Sequence, residues 1–369
     1  MRKEETVSSG QMACLFLSFM LGSSLINMPQ PLADAAGNGA WLSVIIGNGY
    51  GIFLLACVYY LYRKNPDLTF IDYSRKMLGK WVTLCISIPI ILLLLLMLSN
   101  IVVDIGGFLT NAMMRETPPY VFHSLILLVS AMTARSGIEV MTRMFVMLLI
   151  YMVLFSVTVL ILSIPFYQVG NLLPVFPDGM KPVIHGSYLV LGFPYSELVL
   201  FSLILPFVRK EKNNSLKKYM FLVLLIQGFM FVISVVCSIM ALGPLASTFK
   251  FSVFQLARLI NIREIITRIE SFIGIALIVG SYMKASITLF ILKETLSRVF
   301  KLHDERIIIF PVSFVALLLS LTMYKSEIEH AEIVLVVWPL FITIVAVLPL
   351  IFITLITLLK GKKIKSKDT

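Results

Sequence analysis

The sequence predicts an all-α polytopic membrane protein of ten transmembrane helices, arranged as a 5+5 inverted repeat in which helices 1 and 6 are broken. Three observations predict it. The chain of 369 residues is 59% hydrophobic with a mean hydropathy of +0.95, well above the ~45–50% apolar content of soluble domains. Its apolar runs repeatedly approach the ~20 residues that a bilayer crossing requires, separated by short polar connections. Two of those runs carry helix-breaking residues in corresponding places, Gly22 to Pro31 and Gly192 to Tyr195.

The first span runs from about Gln11 to Ala36 and is interrupted by Gly22-Ser23-Ser24 and by Asn27-Met28-Pro29-Gln30-Pro31. The second covers about Trp41 to Leu61. In the polar segment Arg63 to Lys80, Phe70, Ile71, Ser74, Met77 and Leu78 share one helical face, which predicts a short helix on the membrane surface. The third span, about Trp81 to Leu109, carries Asp104 near its far end. The fourth covers about Tyr120 to Ala134 and the fifth about Thr142 to Ile164. Prolines, glycines and asparagines from Pro165 to His185 predict an outer loop. The sixth span, Gly186 to Phe207, has Gly192-Phe193-Pro194-Tyr195-Ser196-Glu197 at its centre. Proline there removes a donor and clashes with the preceding turn. The seventh span covers about Tyr219 to Leu242. In the connection Gly243 to Arg268, Val253, Leu256, Ala257 and Ile260 follow helical spacing. The eighth covers about Glu270 to Leu292 with Lys284 inside, the ninth about Ile307 to Met323, and the tenth about Ile333 to Leu359.

Five spans per half is odd, so the second half is inverted relative to the first. Paired breaks in the first helix of each half are the sequence pointer to an inverted-repeat transporter fold with a central site. No residue-level similarity joins the halves; the repeat rests on topology and break position. One transmembrane domain occupies 1–369, with a first repeat over about 11–164, a second over about 187–359 and a basic tail at 360–369.

Charge orients the spans. With the N-terminus inside, 23 of the 31 lysines and arginines fall in cytoplasmic segments, which places both termini in the cytoplasm. The net charge of +11 therefore reads as topology signalling and contact with anionic membrane lipids, not nucleic acid. Cys14, Cys57, Cys85 and Cys237 lie inside apolar spans without metal-ligand spacing and read as packing residues. His123, His185, His303 and His330 sit at span ends and read as surface residues. No phosphate loop, nucleophile elbow or zinc motif occurs, so no enzyme, metal or cofactor is expected.

Helix breaks expose unpaired amides and carbonyls, whose partial charges suit the two ends of an amino acid. Gly22, Ser23 and Ser24 offer close backbone approach and two hydroxyls. Gly192, Phe193 and Tyr195 offer backbone, an apolar wall and a phenol. Small residues at such positions also serve tight helix packing. Glu197 and Lys284 are the ionisable residues nearest the midplane; Lys284 lies about 21 Å down its helix from Glu270 at ~1.5 Å per residue. Two arrangements are open: they pair, or Lys284 stands where a sodium-coupled relative holds its ion. Either a ligand-coupled role or a structural ion pair follows. Asp104 with Gly106-Gly107 lines an outer vestibule or is solvated at its helix end.

Several stretches carry a resemblance: Gln11 through Gly22-Ser23-Ser24 and Pro29, then AAGNGAW (Ala35 to Trp41); ARSGIEVMTR (Ala134 to Arg143); NLLPVFPDGMKPVIHGS (Asn171 to Ser187) running into GFPYSELVLF (Gly192 to Phe201); and RIESFIGIALIVGSYMKASI (Arg268 to Ile287). They resemble the B-subunit permease family of bacterial spore germinant receptors, a LeuT/APC-like branch of the amino acid–polyamine–organocation transporter superfamily. Leu277 stands near where the family's motif often has tryptophan. The resemblance implies a multi-pass protein of the spore inner membrane, acting with an A subunit and a C-subunit lipoprotein to sense a small nutrient, commonly an amino acid. It implies a pocket lined by Gly22, Ser23, Ser24, Gly192, Phe193, Pro194 and Tyr195, with Tyr282 and Lys284 beside it. A proton-coupled amino acid transporter working through Glu197 or Lys284 is the second expectation, and a scaffold with a vestigial site the third.

Overall fold

The structure, a computed structural model, describes residues 5–177, 179–210, 215–260, 269–302 and 304–360. Arg2, Lys3, Lys212, Arg263, Arg268, His303 and the tail beyond Lys360 lie outside the described residues. The described chain is almost wholly helical. α1 (Ser9–Leu21) starts at Ser8, whose hydroxyl accepts from the Gln11 N–H while the Gln11 side chain accepts from the Ser8 N–H. That reciprocal cap satisfies two orphan donors. The helix stops at Gly22 and resumes as α2 (Ser24–Asn27) and α3 (Pro29–Ala36). Pro29 sits in the first turn of α3, where its missing N–H costs nothing.

α4 (Ala40–Lys64) leads to α5 (Phe70–Leu78), which Thr69 caps by accepting from the Asp72 N–H. α5 buries Phe70, Ile71 and Tyr73 against the protein, and Asp72 pairs with Arg298 at 2.8 Å. α6 (Lys80–Phe108) ends in a wide turn to Met113. α7 (Pro119–Ser136) and α8 (Ile138–Leu162) meet at Gly137, whose φ of 92° only glycine adopts readily. α9 (Lys181–Val190) starts at Lys181 rather than at Gly186, because Pro182 fits a first helical turn and the helix begins inside the expected loop. α10 (Leu216–Leu242), α11 (Ser252–Leu259), α12 (Glu270–Phe300) and α13 (Ile309–Thr322) follow. The face of α11 formed by Val253, Leu256 and Ala257 is buried. The last apolar stretch contains α14 (Glu327–Glu332), α15 (Trp338–Ile342) and α16 (Leu348–Lys360), joined by π-type turns at Ile333–Val337 and Thr343–Val347. Each wide turn precedes a proline, Pro339 or Pro349, which cannot donate to the carbonyl four residues back.

Among the described residues, 8 helical runs are long and apolar enough to cross a membrane, and Ile309–Thr322 is a shorter apolar helix. Three runs are 78% buried over their apolar window: Ser9–Asn27, Lys181–Leu203 and Glu270–Phe300. The others reach 28–44% and carry exposed Ile, Leu and Phe side chains suited to lipid. The two broken segments and α12 are thus the centre, and the remaining helices surround them. α12 packs on α6, α8, α7 and α1, and α1 packs on α10 and α8.

Glycine sets how closely the centre closes. A Cβ on Gly280 of α12 would overlap the Gly22 carbonyl oxygen, so the backbone of α12 lies directly on the α1 break. Gly47 and Gly51 of α4 receive the Tyr195 ring, where a Cβ would meet ring carbons at 2.9 Å and 2.7 Å. At one end of the bundle a short extended segment ties the start of the first broken segment to the end of the second: Val7 N–H donates to the Phe207 carbonyl at 2.9 Å, and Arg209 N–H donates to the Val7 carbonyl at 2.8 Å. Glu5 accepts from the Ile138 N–H at 2.8 Å and pairs with Arg306 at 3.4 Å. At the same end, Lys293 pairs with Glu294 at 2.6 Å and with Glu305 at 3.1 Å. Burial opposes the charge on Glu305, yet Lys293 holds its carboxyl below the usual range.

Gly280→Ala should destabilise the purified protein by about 1–3 kcal/mol through overpacking, read as a lowered melting temperature in detergent. Gly49→Ala, whose Cβ meets nothing within 4 Å, should melt with the wild type. Equal melting of both variants would rule out the close α1–α12 contact.

Candidate functional site

The site grows out of two interruptions. In the first, Gly22 takes φ 19°, ψ −113°, away from helical values, and the chain resumes at Ser24. The Ser24 hydroxyl donates to the carbonyls of Met20 (2.8 Å) and Leu21 (2.9 Å), which the break leaves without helical partners. In the second, Phe193 is extended (φ −137°, ψ 119°) inside the turn Leu191–Tyr195, the Phe193–Pro194 peptide is cis, and Ser196–Leu203 continues as a tight 3₁₀ helix.

Between the breaks sits a buried ion pair. Lys284 Nζ lies 2.6 Å from Glu197 Oε2, with both side chains 2–3% exposed. The ammonium also lies 3.9 Å from the centre of the Phe193 ring and 5.4 Å from that of Phe19. A π face stabilises a cation most where water is excluded. Trp338 stands beside the Glu197 carboxylate. A Cβ on Gly22 would meet the Lys284 Cδ at 3.0 Å. The lysine stem therefore runs across the first break, and its head reaches the second.

The structure brings together Gly22, Ser23, Phe193, Glu197 and Lys284. Of these, Ser23, Phe193, Glu197 and Lys284 line a cavity of about 40 Å³ shared with Asn100, Asp104, His330 and Trp338. That is room for a few waters, at ~10–15 Å³ each. Gly192 packs on Pro339, and Pro194 is buried. Tyr195 points away to α4, where its hydroxyl accepts from Asn48 Nδ2 at 3.2 Å. Tyr282 faces α7 and α8, with its hydroxyl 2.5 Å from that of Thr133 and its ring edge-on to Phe145. Of the histidines expected at the surface, His185 is exposed, whereas His123 and His330 are each 4% exposed. His123 tucks against Ser320 and Gly106, and His330 packs edge-on to Tyr324. Position near a span end did not determine which way the ring turned.

A second cavity, of about 430 Å³, adjoins the first through the shared wall residues Asp104, Phe193, His330 and Val334. Asn27, Gln30, Lys250, Phe251 and Glu327 line its wider part. Lys250 and Glu327 pair there at 2.9 Å. Asp104 is thus a vestibule residue, and Asn27 donates to it at 2.7 Å. Sequence reasoning missed His330 and Asn27 as cavity residues, and also Gln227, whose fully buried amide sits near Tyr195. An amide or imidazole inside an apolar span was the available signal. Among the described residues no group of His, Cys, Asp and Glu could hold a metal ion.

The geometry meets known proteins at two levels. By shape, the chain is similar to a Na⁺-coupled sialic acid symporter in its substrate-bound outward-open state (TM-score 0.70, 14% identity, 96% of this chain and 79% of that one). It is also similar to MhsT in complex with L-phenylalanine (TM-score 0.69, 14% identity, 96% and 99%). These likenesses establish a LeuT-type transporter fold. By sequence, it is similar to spore germination protein KB of Bacillus subtilis strain 168, at 29% identity over 91% of this chain and 90% of that one. Spore germination protein XB of Bacillus anthracis is 22% identical over 72% and 74%. The profile of the spore germination protein family (spore permease) matches residues 6–328. The chain, a nearly all-helical membrane protein with a LeuT-type fold, belongs to the spore germination permease family.

Proposed function

We propose that the chain is the nutrient-sensing membrane subunit of a spore germinant receptor, and that it binds an amino acid at the midplane between its broken first and sixth helices. One observation carries the site: Lys284 pairs with Glu197 across both breaks, roofed by Phe193 and beside Ser23. Family membership supplies the germination context. The binding surface comprises Gly22, Ser23, Ser24, Gly192, Phe193, Pro194 and Glu197 with Lys284, while Tyr195 and Tyr282 brace it through α4 and α7. Amino acid binding by a neighbour of the same fold, MhsT with L-phenylalanine, supports the ligand class.

Counting α7 and α13 with the 8 apolar runs gives ten spans. We take them as two inverted sets of five within one domain, 11–164 and 187–359, with both termini in the cytoplasm and the protein in the spore inner membrane. An A subunit and a C-subunit lipoprotein are its partners. The subunit works by switching: the 40 Å³ cavity is too small for an amino acid, so binding must favour a state in which the breaks separate. The second reading is a proton-coupled amino acid transporter. The buried pair favours it, because a Lys–Glu contact in a water-poor site can exchange a proton when the breaks part.

Lys284→Met alone leaves a buried carboxylate unpaired and should destabilise the protein by ~3–5 kcal/mol, and Glu197→Gln alone should also destabilise it. The double variant Lys284→Met/Glu197→Gln should recover most of that loss, measured as melting temperature in detergent. Germination of spores carrying Glu197→Gln or Gly22→Ala, at normal subunit levels, should require a higher concentration of one amino acid. Unchanged responses to every nutrient would remove the breaks as the sensing site. Labelled amino acid flux into vesicles containing this chain alone would favour the transporter.

A further inference from the structure

We propose that Asp104, Asn27 and His330 form an ammonium-binding subsite where the two cavities meet, so that the ligand carries a protonated amine. The inference rests on the reading of the breaks as the ligand site and assigns the end of the ligand that faces the vestibule.

Charge comes first. Four carboxylates stand on the cavity walls: Glu197, Glu327, Asp104 and the exposed Glu332. Lys284 neutralises Glu197 at 2.6 Å, and Lys250 neutralises Glu327 at 2.9 Å. Among the described residues, Asp104 and Glu332 have no cation within ion-pair distance. The compartment therefore carries uncompensated negative charge, and Asp104 is its deepest member.

Hydrogen bonding comes second. Asn27 Nδ2 donates to Asp104 Oδ2 at 2.7 Å, which fixes the amide and leaves Asn27 Oδ1 buried without a donor. His330 is 4% exposed, lines both cavities, and its Nε2 has no partner. A buried polar atom without a partner costs ~1–3 kcal/mol, and both of these belong to residues that line one compartment. The amide and the two cations at the junction are engaged: Asn27 on Asp104, Lys284 on Glu197, Lys250 on Glu327. What remains are acceptors, the Asp104 carboxylate, Asn27 Oδ1 and His330 Nε2 in its Nδ1-protonated form. A primary ammonium offers three donors and one positive charge and answers both deficits. A carboxylate or phosphate at this junction would face Asp104 and its uncompensated charge. A neutral polyol would answer the hydrogen bonds but not the charge.

The placement divides the ligand's work. The larger cavity, about 430 Å³, admits the ligand, and Phe193 forms a wall of both compartments. Asp104 then selects for the amine before the Lys284–Glu197 pair is reached.

The test is equilibrium binding to the purified full chain in nanodiscs. The probes are the standard amino acids, their N-acetyl derivatives, simple alkylamines and a set of hexoses. An ammonium-bearing compound should bind and its N-acetyl derivative should not. Asp104→Asn should weaken that binding by at least about 10-fold, the loss of a charge-assisted hydrogen bond, with unchanged melting temperature. Asn27→Leu should weaken it at least about threefold, and serves if Asp104→Asn does not fold. A wild-type chain that binds no amine, or an amine whose affinity these variants shift less than about twofold, would overturn the assignment. Phe193→Ala separates the two readings. If it abolishes binding while Asp104→Asn does not weaken it, the break site stands and the ammonium subsite falls. If neither variant weakens binding, both fall.

Discussion

The arrangement of the centre depends on one ion pair, Lys284 to Glu197. Each partner alone would be costly inside an apolar span. Together they fix the rotation of α12 relative to the second break, because the lysine stem has to cross Gly22 to deliver its head to Glu197. That crossing explains why Gly22 and Gly280 carry no side chains: the backbone of α12 and the first break touch there. Phe193 is extended rather than helical, and this brings its ring over the ammonium. Two helix breaks, two glycines and one aromatic ring thus satisfy a single electrostatic demand.

The pair also limits what the site can be in this conformation. A 40 Å³ cavity beside a fully engaged lysine has no free cation to offer a ligand. The larger cavity beyond Phe193 retains unsatisfied acceptors and excess negative charge. Polar capacity is therefore graded along the cavities: acceptors toward the Lys250–Glu327 pair, a neutralised pair between the breaks.

Much of this was legible in the sequence. The breaks could be read because glycine, serine and proline announce them chemically, and both fall in residues the sequence marks. Pairing was one of the two arrangements the sequence allowed, because Glu197 and Lys284 are ionisable residues deep inside their apolar spans. What the sequence did not reveal is direction. Tyr195 follows the extended Phe193, so the helical phase that would aim it inward is lost, and it turns to Gly47 and Gly51 instead. Tyr282 lies two positions from Lys284, about 200° around an α-helix at ~3.6 residues per turn, and faces the opposite helices. His330 stands just before a wide turn that displaces the following residues, so span position alone could not show that its ring faces inward.

The extended segment around Val7 has a practical bearing. It is hydrogen-bonded to Phe207 and Arg209 at the far end of the second broken segment, while Glu5 reaches Ile138 and Arg306. Any load on this segment is passed along the chain to the first interrupted helix and through backbone hydrogen bonds to the second. A purification tag or fluorescent reporter fused ahead of Glu5 would pull on the broken helices themselves, whereas one attached beyond α16 hangs from a helix that packs on α4 and its own preceding turn and bonds Tyr73 of α5 through Thr357. Labels meant to observe this protein without disturbing it belong after Lys360.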